Sequence, residues 1–191
     1  ESWTSGDCTA TLAGTILTIS GTGAMADYEE PSEQPWNSYA GEIETVDIED
    51  GVTSIGNLAF CDCSSVTTIT IGSGVTYIGE DAFFNCTAVT DVYCYADPDA
   101  LKWEEGGCDD FMEGKVTLCH VADATKFKEK WSTGDPDVDV NVTFVGDLTS
   151  IDVTSKMADG RSDVYYDLNG RCVMNPTKGI YIVNGQKVII K

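Results

Sequence analysis

Between Thr45 and Cys94 the chain repeats one pattern of apolar and polar positions. Apolar and polar residues alternate over four positions, a segment of the type GVTSIG follows, and an Ala-Phe pair then precedes a cysteine and a valine. The copy that starts at Thr45 recurs at Thr68 with a constant offset of 23 residues, and a third copy opens at Asp91 and then loses the pattern. A fixed period of about 20 to 50 residues is typical of a solenoid, in which identical coils stack on each other.

The alternating stretch predicts one short strand in each coil. Val46 and Ile48 are expected to face the core, while Thr45, Asp47 and Glu49 point outward. The glycines of the following segment are predicted to form bends that need a positive φ. The matched positions of the two complete copies are Ile48 and Ile71, Val52 and Val75, Ile55 and Ile78, Gly56 and Gly79, Ala59 and Ala82, Phe60 and Phe83, Cys63 and Cys86, and Val66 and Val89.

The strand step extends past the clear copies. Val46, Ile69 and Val92 are 23 residues apart, Val116 follows after 24 and Val142 after 26. The sequence therefore predicts about five coils that form a parallel sheet, with the last two irregular. Two helical features are predicted between these strands, a helical turn at residues 98–103 and a short helix at residues 123–131, where Ala124, Phe127 and Trp131 share one face.

Both ends of the chain differ from the repeats. Residues 8–20 predict a β-hairpin that turns at Ala13-Gly14, and the N-terminal region is expected to cap the first coil. Near the C-terminus, Asn169-Gly170 and Asn184-Gly185 stand between apolar runs and predict two hairpins. The expected organisation is a β cap at 1–44, a solenoid at 45–146, a linker at 147–163 and a small β module at 164–191.

The repeats resemble the BspA-like leucine-rich repeat. The resemblance rests on Val52 to Gly56 with Ala59-Phe60 and Cys63, and on the matching stretch from Val75 to Cys86. It is strong over residues 15–95 and loose over 96–146. The family implies a β-rich leucine-rich-repeat solenoid in secreted or cell-surface bacterial proteins, some of them adhesins, and it carries no shared catalytic residues.

The tail resembles a second family. Tyr166 to Arg171 and Lys178 to Val188 are similar to the C-terminal sorting domain of type IX secretion in Bacteroidetes. The resemblance implies export across the outer membrane and attachment to the surface.

Net charge narrows the classes of partner. The formal charge of −21 repels nucleic acid and anionic membranes, because both are bound through Lys and Arg. The sequence has no apolar run of about 18 residues, so no membrane-spanning helix is predicted. Because the sequence begins at Glu1, a removed signal peptide and a secreted or outer-surface location are expected.

The sequence offers little catalytic chemistry. His120 is the single histidine, so a multi-histidine metal site is not expected. Asp135, Asp137 and Asp139 alternate, but the Gly and Glu positions of an EF-hand are Val140 and Gly146 instead. We therefore expect a non-enzymatic protein without catalytic residues, metal or cofactor.

The cysteines at the repeat position are predicted to be buried free thiols. In stacked coils, Cys63 and Cys86 would point the same way at about 4.8 Å between Cα atoms, which disfavours a disulfide. Cys94 aligns with Ile48 and Ile71 and is also expected in the core. The disulfide status of the others stays open: Cys8, Cys61, Cys108, Cys119 and Cys172.

The outward residues of the predicted strands form columns across the coils. One column contains Asp47, Thr70, Tyr93, Thr117 and Thr143, and a neighbouring one contains Thr45, Thr68, Asp91, Lys115 and Asn141. A third contains Glu49, Gly72 and Tyr95. The candidate ligand-binding residues on this face are Asp47, Thr70, Asp91, Tyr93, Tyr95 and Thr117.

Three functions fit such a face. The first is adhesion to, or recognition of, a host matrix protein, a cell-surface protein or a glycan, with Tyr93 and Tyr95 as anchors. The second is carbohydrate or peptide binding for nutrient capture, and the third is a structural surface component. In that last case the tyrosines only shield the sheet.

Overall fold

The computed structural model describes residues 1–104, 117–131, 142–145, 165–166, 172–173, 179–183 and 186–190. The chain divides into two units, residues 1–148 and residues 149–191, which are described separately below. The predicted linker at 147–163 lies outside the described residues.

The first unit is built around an eight-stranded main sheet. Its strands, in spatial order, are β1 (Ser2–Ser5), β2 (Cys8–Ala13), β3 (Ile16–Gly21), β5 (Thr45–Ile48), β7 (Thr68–Ile71), β9 (Asp91–Cys94), β11 (Thr117–Val121) and β12 (Val142–Val145). The β1–β2 and β2–β3 pairs are antiparallel, and every pair from β3 onward is parallel. The predicted solenoid with a parallel sheet is confirmed.

A second parallel sheet lies across the core. Its strands are β4 (Gly23–Ala24), β6 (Val52–Ile55), β8 (Tyr77–Ile78) and β10 (Lys102–Trp103). Sequence analysis missed it, because the segment containing β6 was interpreted as a bend. About four turns contribute to both sheets, and β11 and β12 extend the main sheet further. The predicted N-terminal hairpin is present, but it turns at Gly14-Thr15 and not at Ala13-Gly14, since Ala13 pairs with Ile16. The first turn of the solenoid contains β3 and β4, so this hairpin leads directly into the coils.

Backbone groups bridge successive coils on the side that carries the Ala-Phe pair. The amides of Leu58, Phe60 and Asp62 donate to the carbonyls of Glu80, Ala82 and Phe84 at 2.9, 2.8 and 2.9 Å. The Phe60 and Phe83 rings stack below this ladder with centroids 5.3 Å apart and planes 14° apart, and both side chains are fully buried.

Side chains replace this ladder at the first coil. The Trp36 indole Nε1 donates to the carbonyl of Ala59 at 3.1 Å, and Gln34 Nε2 donates to the carbonyl of Cys61 at 3.3 Å. The Trp36 ring also stacks on Phe60 at 5.8 Å. The N-terminal region therefore satisfies the carbonyls of the next coil, as a solenoid end requires.

The expectation that the repeat glycines need a positive φ is wrong. Among glycines of the described residues, a positive φ occurs at Gly6, Gly14, Gly21 and Gly23. Glycine is instead required at Gly56 and Gly79 because the backbone of the preceding coil lies too close for a side chain. A Cβ on Gly56 would overlap the backbone oxygen of Ala26. Positive φ within the repeats falls on non-glycine residues 23 positions apart: Leu58 and Asp81, and Asp62 and Asn85.

The predicted register of the later strands is also wrong. Cys119, and not Val116, pairs with Val92, and Phe144 pairs with Cys119 in the next strand. The segment KVTLCHV has apolar residues in both phases of the alternation, and a one-residue slip moves every side chain to the opposite face. The structure buries Cys119 and Val121 and leaves Leu118 39% exposed.

One of the two predicted helical features is confirmed. Helix α1 (Ala124–Trp131) begins after Asp123, whose Oδ1 accepts from the amides of Thr125 and Lys126 at 3.1 Å each. Phe127 of this helix is fully buried. In place of the helical turn predicted at 98–103, the amides of Ala100 and Leu101 donate to the carbonyl of Asp97 at 3.1 and 2.9 Å and form a single turn. Strand β10 follows this turn.

The second unit contains a four-stranded antiparallel sheet in the order β14 (Cys172–Val173), β13 (Tyr165–Tyr166), β15 (Gly179–Val183) and β16 (Gln186–Ile190). Val183 pairs with Gln186, which confirms the hairpin predicted around residues 184–185. Tyr166 pairs with Cys172, so the strands that flank the first predicted hairpin are antiparallel neighbours. The connecting residues 167–171 lie outside the described residues.

The cysteines of the repeats fill space in the core. Cys63, Cys86 and Cys94 are buried free thiols, as predicted, and the Cys86 Sγ donates to the carbonyl of Phe60 at 3.2 Å. Cys8, Cys61 and Cys119 are likewise buried thiols. Cys108 lies outside the described residues, as does the side chain of Cys172. Burial raises the pKa of Cys63 to about 12, helped by the neighbouring Cys61 and Asp62, and burial raises the pKa of Cys94 to about 12.

Replacing Gly56 by alanine tests the stacking constraint. Gly56→Ala should lower the free energy of unfolding by about 3 kcal/mol, because the new methyl group must displace the backbone of the preceding coil. Urea unfolding followed by circular dichroism measures the change. Gly41→Ala is the matched control, since a Cβ there meets no atom within 4 Å. Equal stability of the two variants would refute the stacking explanation.

Thiol labelling tests the environment of Cys63 and Cys94. Because burial raises both pKa values to about 12, neither thiol forms appreciable thiolate at pH 8 in the folded protein. We expect both to react with a disulfide reagent at least about 100-fold more slowly in buffer than in denaturant.

The raised pKa values of Cys63 and Cys94 also determine how the free energy of unfolding changes with pH. Raised thiol pKa values stabilise the folded state fully below about pH 9, and this contribution is lost as the pH rises towards 12. The loss of stability above pH 9 should be smaller in Cys94→Ala than in the unmodified protein. Rapid labelling of Cys63 and Cys94 in the folded protein at pH 8 would contradict the raised pKa values on which both predictions depend.

Candidate functional site: the outer face of the main sheet

The outer face of the main sheet is formed by every second residue of its strands. In β5, β7 and β9, half-buried positions alternate with fully buried ones, so one set lines the core and the other points outward. We use the term outer face for this outward set between β3 and β11: Ile16, Thr18, Ser20, Thr45, Asp47, Glu49, Thr68, Thr70, Asp91, Tyr93, Tyr95, Leu118 and His120.

Five of the six predicted site residues take their expected positions on this face. Asp47 pairs with Thr70, and Thr70 with Tyr93, so these three form one row across the coils. Asp91 lies in the neighbouring row, opposite Thr68. The amide of Tyr95 donates to the carbonyl of Ile71 at 2.9 Å, which continues the ladder one residue beyond the strand.

The sixth predicted residue, Thr117, is displaced by the changed register. His120 pairs with Tyr93, and Thr117 pairs with Val142 of β12. Sequence analysis therefore missed His120 as a member of the face. The alternation of Cys119 and Val121 was the available signal, because it places His120 outward once those two residues are assigned to the core.

His120, Tyr93 and Asp91 form one contact cluster. The His120 and Tyr93 rings stack with centroids 4.4 Å apart and planes 7° apart. His120 Nε2 lies 3.5 Å from Asp91 Oδ1, and Thr90 Oγ1 donates to Asp91 Oδ2 at 2.8 Å. His120 of the neighbouring strand β11 and the adjacent residue Thr90 thus hold the Asp91 carboxylate in place, and His120 also holds the Tyr93 ring.

We use the term furrow for the middle of the outer face, where a row of small residues lies between two rows of larger ones. Its floor is β7, which presents the small residues Thr68 and Thr70, and the Gly72 that follows is buried against the backbone of Glu49. The wall on the β5 side carries Asp47 and Glu49, and the wall on the β9 side carries Asp91, Tyr93 and Tyr95. Neighbouring strands are about 4.8 Å apart, so the two wall strands lie about 10 Å apart, enough for one extended chain.

Within the described part of the chain, no group of three or more His, Cys, Asp or Glu side chains could hold a metal ion. The acidic segment at 135–139 falls outside that part. None of the helices described is long and apolar enough to cross a membrane.

A double-mutant cycle tests the contact between Tyr93 and His120. Tyr93→Ala and His120→Ala should each destabilise the fold, with a coupling free energy of about 1 kcal/mol, because removing either ring removes the stacking. Urea unfolding of the four proteins gives the coupling. Tyr93→Ala with Thr117→Ala is the control and should be additive. Coupling to Thr117 instead of His120 would restore the register that the sequence suggested.

Comparison with known proteins gives one family match and one similar solved structure. The family described as BspA type leucine rich repeat region (6 copies) matches residues 37–101. A solved structure, a leucine-rich repeat protein from Eubacterium ventriosum ATCC 27560, is 33% identical, with a TM-score of 0.48. The similarity covers 54% of this chain and 28% of that protein. No curated protein matches the chain.

The matched region contains β5 to β9 and the Phe60–Phe83 stack, which are the most regular coils of the first unit. Residues 37–101 of this chain are therefore similar to BspA-type leucine-rich-repeat regions.

Proposed function

We propose that this chain is a recognition module of a secreted or cell-surface protein, and that it binds its partner through the outer face. Leucine-rich repeats of this type form protein-recognition proteins that are typically non-enzymatic. The observation that carries the proposal is the pair Tyr93 and Tyr95, half-exposed on the furrow wall beside the Asp91 carboxylate. Tyrosines in such positions are enriched among residues that dominate binding energy.

The geometry favours an extended ligand. A face of parallel strands with a furrow about 10 Å wide fits one polypeptide or oligosaccharide chain better than a globular surface. Adhesion to a host matrix protein, a cell-surface protein or a glycan is consistent with this shape. The proposed protein is non-enzymatic and uses no cofactor.

The tail has a separate proposed role. Residues 164–191 resemble a type IX sorting domain, and their antiparallel sheet with the hairpin at 184–185 is the basis for proposing export and surface attachment through this module. A Bacteroidetes origin and a removed signal peptide belong to the same proposal.

A binding panel tests the recognition role. The intact protein is measured by biolayer interferometry against immobilised extracellular-matrix proteins and against a glycan array. Tyr93→Ala combined with Tyr95→Ala should weaken any binding at least about tenfold, because hot-spot tyrosines contribute 2 kcal/mol or more.

The matched control is Tyr77→Ala. Tyr77 is also half-exposed, but it belongs to β8 of the second sheet. Equal losses in both variants, or no loss in the double variant, would refute the outer face as the binding site. Binding confined to the glycan array would favour carbohydrate capture, and no binding to either panel would leave a structural surface component as the better explanation.

A further inference from the structure

The segment at 29–43 is bonded to the rest of the first unit differently from every coil that follows it. Its two ends are fixed by backbone bonds, since the Tyr28 amide donates to the carbonyl of Asn57 at 3.1 Å and the Glu44 amide donates to the carbonyl of Thr15 at 2.9 Å. Between them, every amide hydrogen bond found among the described residues stays inside the segment. We use the term strap for residues 29–43.

The strap contacts the next coil through the ends of side chains. The Trp36 indole donates to the carbonyl of Ala59, and Gln34 Nε2 donates to the carbonyl of Cys61. One repeat later, the equivalent carbonyls of Ala82 and Phe84 accept from backbone amides instead. Side-chain bonds of this kind can break without any change in the backbone of the coil behind them, so the strap can separate from a coil that stays folded.

Two features of the closed strap favour its opening. Gln34 is only 2% exposed, and its Oε1 has no hydrogen-bond partner among the described residues, which costs free energy that contact with water returns. The strap also carries four exposed glutamates, and residues 1–101 contain no Lys, Arg or His to offset them. Closure depends chiefly on the burial of Trp36, which stacks on Phe60.

The strap covers a thiol as well as a ring. Cys61 is 2% exposed, whereas Phe84, at the equivalent position 23 residues later, is 45% exposed. This position of a coil therefore lies near the surface. Because Gln34 is bonded to the Cys61 carbonyl, we attribute the burial of the Cys61 thiol to the strap.

We propose that the strap opens as a unit while the coils behind it stay folded, and that opening exposes the Cys61 thiol and one face of the Phe60 ring. Proteins open locally in such cooperative segments at a lower free energy than that of global unfolding. The strap is then a conformational device of the N-terminal cap. It is independent of the recognition function proposed for the outer face.

Proton exchange tests whether the strap opens separately. The Trp36 indole proton reports the strap, and the amide protons of Phe60 and Asp62, which bond to the following coil, report the coils. Exchange measured by NMR on the full chain should give the indole proton a protection factor at least about 100-fold lower than those of the two amides. Equal protection would show that the strap opens only on global unfolding and would overturn the proposal.

Thiol labelling tests what opening exposes. Pulse alkylation followed by fragmentation mass spectrometry locates the label. Trp36→Phe keeps an aromatic ring but removes the bond to Ala59, so it should speed the labelling of Cys61 about fivefold, as expected for one lost hydrogen bond. Labelling of Cys94, which lies in the core, should stay unchanged and thereby shows that global stability is retained.

Ser73→Ala is the matched control. It removes one hydrogen bond between coils, from Ser73 Oγ to Asp50 Oδ1, without touching the strap. Cys61 should label in this variant within about twofold of the rate in the unmodified protein. An unchanged Cys61 rate in Trp36→Phe, or equal acceleration of Cys61 and Cys94, would refute a strap that opens by itself.

Discussion

The distance between stacked coils is the constraint on which the first unit depends. Parallel strands must lie about 4.8 Å apart to form their hydrogen bonds, and this distance is imposed on everything attached to them. On the Ala-Phe side, the amides of one coil bond directly to the carbonyls of the next, from Leu58 to Glu80 and from Phe60 to Ala82. A side chain can point into the gap between two backbones only if it is very small or absent, which is why glycine occupies position 56.

The same spacing determines how the core is filled. Each coil supplies one large ring at the same height, and the rings of Trp36, Phe60 and Phe83 stack in sequence. Cysteine occupies the repeat position at Cys63 and Cys86, where a small apolar group fits between neighbouring coils. An end coil has no preceding neighbour to supply backbone donors. The indole of Trp36 and the amide of Gln34 take over that role at the start of the array.

The arrangement of residues on the outer face also follows from the stacking of the coils. Because the coils are in register, residues 23 positions apart become neighbours, and three consecutive strands bring an acidic wall, a floor of small residues and an aromatic wall together. The last strand of this series departs from the period, and it places His120 against Tyr93 and Asp91. The outer face therefore follows the 23-residue repeat from β5 to β9. At β11 it depends instead on the contact between His120 and Tyr93, which the repeat does not predict.

The sequence alone determined the period, the inward and outward residues of β5, β7 and β9, the buried thiols, the helix before residue 131 and the C-terminal hairpins. Each of these depends on local alternation, spacing or turn residues, which the chain carries wherever it folds. The register of β11 was decided only by the tertiary structure, because Val116-Leu118 and Cys119-Val121 are competing apolar pairs and burial against Val92 and Cys94 selects the second. The second sheet and the glycine positions were decided in the same way, since a four-residue strand such as β6 forms only when the coils on either side offer it hydrogen bonds, and the need for a glycine arises only when another backbone approaches.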